Sequence, residues 1–175
     1  MNRKTMDQNK NITEYIIEIY RKEDLMRAYK FDLEKFGTQV INFFPITPKE
    51  KLAEVNYYEA FMKKMTEQGI QESGHLAEVN EIVAQLDQLH EELKSSDENY
   101  NHVYLKAKPY INENMQVANG TITSEVQLCL NGIYGFLLLK IEERPIKPEE
   151  QTMIDQFGNL LSLLSYKYNE RKVMN

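Results

Sequence analysis

The chain has 175 residues, of which only 7 are Gly and 5 are Pro, well under the roughly 12% that average usage gives. That scarcity disfavours a turn-rich sandwich and a Rossmann-type set of glycine loops. With 42% hydrophobic and 27% charged residues, the composition is that of a globular chain with a core. A net charge of −6 argues against nucleic acid as a partner, because phosphate binding needs a surplus of positive charge.

A single cysteine, Cys129, cannot form an intrachain disulfide, which fits a reducing compartment. The first residues are polar and carry Arg3, Lys4, Asp7 and Lys10 where a secretory signal would have an apolar centre. The longest apolar stretch, Leu128 to Leu139, is interrupted by Asn131 and falls short of the roughly 20 residues that span a bilayer. The expectation is a cytoplasmic protein with no membrane segment, in which a flexible stretch over 1–10 precedes one helical domain over 11–175.

Elements follow from the caps. Asn11 and Glu14 have the form of a capping box, and Ile12, Ile16, Ile19, Tyr20, Glu23 and Met26 recur at helical spacing to about Lys30. Asp32 can cap a shorter second helix that ends before Pro45. Thr47-Pro48-Lys49-Glu50 combines a Thr cap, Pro at the first helical position and Glu at the third. It opens a third helix with a stripe of Leu52, Val55, Tyr58, Met62 and Met65 and a stop at Gly69.

A fourth helix is expected from about Ser73 to Lys94, with Leu76, Val79, Val83, Leu86, His90 and Leu93 on one face. The fifth, from Tyr100 to Gly120, contains Pro109, which predicts a kink or two helices end to end. Thr121 to Ser124 offer caps for a sixth helix reaching about Glu143. Its centre, Leu128 to Leu139, is apolar nearly all round and reads as the most buried helix. Gly132 and Gly135 lower helix propensity there, so both are expected to serve close packing. Pro148-Glu149-Glu150 opens the last helix, with Met153, Phe157, Leu160, Leu161, Leu164 and Tyr168 as its stripe. The expected fold is all-α: one domain of about seven helices, a bundle-like or orthogonal array around the buried sixth.

Several stretches together resemble a family of all-helical bacterial proteins of unknown function, best represented in the Bacteroidota. They are Asn11-Ile12-Thr13-Glu14-Tyr15, Glu23-Asp24-Leu25-Met26-Arg27-Ala28, Gly74-His75-Leu76, and the block Leu130 to Leu139. The resemblance implies a one-domain helical fold and carries no activity with it. One departure is Lys147, which stands before Pro148 where a small polar cap is expected.

Chemistry-bearing groups are few. Glu72-Ser73-Gly74-His75 and Asp87-Gln88-Leu89-His90 share the carboxylate-to-histidine spacing of di-iron bundles. Read as one helix, they lie about 22 Å apart along its axis and cannot serve one dinuclear centre, so no metal and no other cofactor is expected. His90 falls between Leu86 and Leu93, where a buried histidine bonded to one neighbour is the plain reading and a pH-sensitive or ligand-contacting imidazole the sharper one. Glu23 continues an apolar stripe and should point inward toward Arg27 or another helix, while Asp24 and Arg27 have surface ion-pair spacing. Asn131 and Tyr134 read as satisfied core groups or as lining of a pocket. Cys129 lies in the most apolar segment, where a thiol is inert. No phosphate loop, paired-Cys motif or nucleophile elbow is present in the sequence.

Two functional classes follow. The favoured one is a non-enzymatic interaction protein that forms a homodimer or meets an unidentified protein partner. The alternative is a metal- or small-ligand-binding helical protein, or an enzyme, built on a polar pocket from Glu23, Asp24, Arg27, His75, His90, Asn131 and Tyr134.

Overall fold

The computed structural model describes residues 11–174; the expectation for 1–10 lies outside the described residues. The described residues form seven α-helices: α1 (Ile12–Ala28), α2 (Leu33–Gln39), α3 (Pro48–Glu67), α4 (Ala77–Ser96), α5 (Glu98–Ala118), α6 (Glu125–Ile141) and α7 (Pro148–Met174), with a 3₁₀ turn at Ile41–Phe43. The described residues contain no strand, and no helix among them is long and apolar enough to cross a membrane. They divide into two compact units. One is Glu18–Asn80; the other is 11–17 together with 81–174.

The caps act as the sequence implies. Asn11 Oδ1 accepts from Glu14 N–H at 3.2 Å, while the Glu14 carboxylate accepts from the side-chain Nδ2 of Asn11 at 2.7 Å rather than from its backbone N–H. Thr47 and Glu50 close a full capping box with Pro48 in the first turn, which satisfies otherwise orphaned backbone donors. Asp32 and Ser124 cap α2 and α6 through the N–H of Lys35 and Gln127, and α5, expected from Tyr100, starts at Glu98 because Asp97 caps it through the Tyr100 N–H. Gly69, at φ +68°, ends α3 in the left-handed conformation that glycine adopts at little cost. Despite Lys147, α7 begins at Pro148, and Glu150 turns back to accept from the Lys147 N–H at 2.9 Å.

Within unit Glu18–Asn80, α2 and the 3₁₀ turn pack on α3. Phe36 and Tyr58 are buried and meet edge to face, 4.6 Å between centroids. The buried face of α3 is Glu54, Tyr58, Phe61, Met62 and Met65. Leu52, expected on that stripe, is exposed instead. In the other unit α7 packs against α5 and α6, and α5 against α6. Of its expected stripe, Phe157, Leu160, Leu161, Leu164 and Tyr168 are buried, whereas Met153 is only half-buried and the neighbouring Ile154 is buried instead.

Four local features depart from the sequence reading. The first helix ends at Ala28 rather than near Lys30, because Lys30 and Phe31 adopt positive φ of 53° and 59°. The fourth begins at Ala77, so Glu72 to His75 form a loop in which Gly74 has φ +92°. α5 runs unbroken through Pro109, on a side of the helix where Leu105 and Pro109 are both exposed; the carbonyl freed by the missing N–H therefore lies near solvent. Lastly, α6 is buried only over its first half, at Val126, Leu128, Cys129 and Leu130. From Ile133 to Leu139 every apolar side chain is half-buried or exposed.

Candidate functional site

Two polar clusters stand out, one in each unit. In unit Glu18–Asn80, Glu23 sits on the apolar stripe of α1 and is completely buried. Its carboxylate accepts from the Leu76 N–H at 2.9 Å and lies 2.6 Å from His75 Nδ1. Leu76 is the residue before α4 begins, so Glu23 acts as its helix cap from 53 residues away. Gln68 accepts from the next amide, Ala77, at 2.8 Å. These two remote acceptors explain why the helix starts where it does: they take the first backbone donors.

His75 stacks on Tyr20 with ring centroids 3.6 Å apart, and 30% of its side chain remains exposed. Arg27 binds Asp24 at 2.8 Å and donates to the carbonyls of Ile70 and Gly74. Glu23 and Arg27, one turn apart on α1, thus hold both sides of the 70–76 loop. Chemically this is a clasp in which each group is committed to the loop backbone or to a neighbour.

The second cluster is centred on His90 of α4, 1% exposed. Nδ1 lies 2.6 Å from the Tyr100 hydroxyl and Nε2 lies 2.8 Å from Glu125 Oε2. An ionised carboxylate only accepts, so Nε2–H donates to Glu125, and in the neutral imidazole the Tyr100 hydroxyl then donates to Nδ1. Tyr104 donates to the other oxygen of Glu125 at 3.3 Å, and Lys94 Nζ reaches Glu91 at 2.5 Å and Glu125 at 3.5 Å. Lys94 also lies 5.1 Å from the centre of the Tyr104 ring, within cation–π range. One turn earlier on α4, Asp87 accepts from the hydroxyl of Ser124, the cap of α6, at 2.7 Å.

The electrostatics of this cluster are those of a half-buried charge network. The hydrogen bond from His90, aided by the charge of Lys94, holds Glu125 below the usual glutamate value despite its burial. Burial by itself would lower Lys94, but the hydrogen bond to Glu91 and the charge of Glu125 outweigh it and hold Lys94 above its usual value. Burial, then the nearby Glu125, pushes Tyr104 up. Tyr100 is pushed up strongly by burial, which keeps its hydroxyl protonated.

The sequence as a whole matches one family, described as "Domain of unknown function (DUF4924)", over residues 2–175. The chain belongs to that family. No curated protein and no solved structure matches it. Among the stretches that carry the resemblance, Glu23 to Ala28 and Gly74 to Leu76 meet in the clasp, joined by Glu23 and Arg27.

Of the seven candidate residues, Glu23, Asp24, Arg27 and His75 come together in unit Glu18–Asn80, and His90 anchors the cluster of the other unit. Asn131 and Tyr134 join neither cluster: Asn131 is exposed and accepts from Gln127 one turn back at 2.7 Å, and Tyr134 is half-buried on α6. Glu23 does point inward, and of the two partners expected for it, Arg27 or another helix, it meets the second: the Leu76 amide at the start of α4, beside His75. His90 has two side-chain partners where one was expected.

Sequence reasoning missed Glu125, Tyr100, Lys94 and Glu91. Glu125 stands directly after the Ser124 cap, where a carboxylate looks like an ordinary dipole residue. The available signal was the apolar surroundings: between Glu125 and Lys140 the chain has no other charged residue. A shallow, open surface groove runs along α5 and α7, lined by Asn99, Val103, Lys106, Asn159, Ser162 and Tyr166. None of the seven candidates lines it.

Proposed function

We propose that the protein is a self-associating helical module whose contact surface is the second half of α6, and that the partner is a second copy of the chain. The observation behind this reading is that Ile133, Tyr134, Phe136, Leu137 and Leu139 are half-buried, and Leu138 and Ile141 exposed at 38% and 59%. Such a run on one helix exceeds the scattered apolar residues of an ordinary surface. No charge interrupts it before Lys140, so a partner must be apolar and uncharged over the same length. A second copy supplies that face by two-fold symmetry, and the repulsion between two chains of net charge −6 is screened beyond about 8 Å at physiological ionic strength. The cytoplasm, where such a protein needs no disulfide or anchor, fits the single buried cysteine.

The test is sedimentation equilibrium of the full chain across micromolar concentrations, beside a Leu138→Glu/Ile141→Glu variant. Both positions are exposed, so the variant should keep the wild-type far-ultraviolet circular dichroism while its mass falls from dimer to monomer. A wild-type chain that stays monomeric up to about 100 μM, an energy of association weaker than roughly −5.5 kcal/mol, overturns the proposal.

A further inference from the structure

The His90 cluster contains more ligating groups than a structural network needs, and they converge. One ligand atom from each of His90, Glu91 and Glu125 lies within 4.8 Å of the other two. These atoms come from two helices, α4 and α6, with His90 and Glu91 adjacent in sequence. The imidazole is buried, Glu125 is half-buried, and Glu91 is 64% exposed on its side chain. The cluster therefore has a fixed inner wall and one adjustable arm that opens to solvent. Lys94 Nζ already occupies the space between the two carboxylates as a tethered cation.

We propose that His90, Glu91 and Glu125 form a binding site for a divalent transition metal of the zinc type, which takes the place of the Lys94 ammonium. The ligand set is one imidazole nitrogen and two carboxylates, which favours zinc-like ions over magnesium or calcium, whose sites are built of oxygen alone. Ligand atoms on a tetrahedral zinc at about 2.0 Å stand roughly 3.3 Å apart. The His90 to Glu125 separation of 2.8 Å must open slightly, and the exposed Glu91 side chain, within 4.8 Å of the other two, must close by at most about 1.5 Å to reach that spacing. For His90 to ligate through Nε2, its proton moves to Nδ1, where Tyr100 lies 2.6 Å away and can turn its oxygen to accept. That is the outer hydrogen bond that metal-bound histidines usually make. Water completes the coordination on the side that Lys94 vacates. This site is independent of the α6 surface and goes beyond self-association.

The role of Lys94 makes the test specific. Zinc chloride is titrated into the full chain by calorimetry, with native mass spectrometry for stoichiometry and cobalt(II) substitution for geometry. One zinc per chain is expected, with a cobalt visible band of tetrahedral intensity. Removing the competing ammonium in Lys94→Met should tighten binding at least tenfold, whereas Glu91→Gln should weaken it at least tenfold. Glu91 is exposed, so that variant folds whatever its effect on the metal. Absence of binding tighter than about 1 mM in both the wild type and Lys94→Met, each folded by circular dichroism, overturns the proposal. Binding that neither Lys94→Met nor Glu91→Gln alters also overturns it, because the metal then sits elsewhere.

Discussion

Gly132 and Gly135 lie on the same helix three residues apart, and the structure gives them opposite roles. A Cβ built on Gly132 falls 2.9 Å and 3.0 Å from Cδ2 and Cε2 of Phe157 on α7, and 3.8 Å from Ile154. Phe157 is 1% exposed, so its ring has no solvent to retreat into; reaching ordinary contact means moving it by about half an ångström within a close-packed interior. Gly132→Ala gains about 1 kcal/mol of helix propensity but incurs overpacking of about 1–3 kcal/mol, for a net loss of about 1 kcal/mol. Gly135 has nothing within 4 Å of its added Cβ, so Gly135→Ala keeps the propensity gain of about 0.5–1 kcal/mol. The two variants should differ by about 2 kcal/mol, or roughly 4–8 °C in Tm for a chain of this size. Urea unfolding followed by far-ultraviolet circular dichroism measures this, at one low protein concentration so that association does not enter. Adding Phe157→Leu to Gly132→Ala should recover part of the loss, as a double-mutant cycle with favourable coupling. A Gly132→Ala protein as stable as Gly135→Ala would refute the argument from close packing.

The other predictions concern the clasp, the acid limb and the thiol. Glu23→Ala removes the acceptor of the Leu76 N–H and the partner of His75, and should cost about 1–3 kcal/mol with faster hydrogen exchange at the Leu76 amide; a change below about 0.5 kcal/mol would contradict the capping role. Asp97 is held below its ordinary value of 3.8 by the hydrogen bond from Lys167 and then by the Tyr100 amide. A depressed carboxylate contributes stability that is present above 3.8 and lost as pH falls through its folded value. Asp97→Asn should therefore be less stable than wild type at pH 6, with the gap closing below about pH 3.8; a gap independent of pH would sink this reading. Burial, then the charges of Glu125 and Asp87, pushes the Cys129 thiol far up. A disulfide reagent should label it only on unfolding, and stoichiometric labelling within seconds in native buffer would show the thiol to be accessible.

How much of the candidate site was legible depended on whether a residue's partner was local. Glu23 could be read as inward-facing because it continues the apolar stripe of Ile12, Ile16 and Ile19. Its role as a cap could not, because Leu76 lies 53 residues away and nothing within either helix encodes the pairing. His90 was visible between Leu86 and Leu93, whereas Glu125 resembled any first-turn carboxylate. The burial of α6 shows the same limit. Hydropathy reports that Leu128 to Leu139 is apolar all round, but not whether a neighbour covers it, and only its first half is covered in this chain.

From the sequence alone, the all-α class and, among the described residues, the number of helices and most of their starts were determined. Capping, proline and glycine preferences and the 3.6-residue period act over a few residues, and Asn11, Asp32, Thr47 and Ser124 each satisfy donors within one turn. The tertiary structure alone decided that α4 starts at Ala77, that Gly132 rather than Gly135 meets a ring, and that His90 meets Glu125. Those outcomes rest on contacts between distant segments, whose geometry is set by packing the whole chain at once and leaves no local trace in the order of its residues.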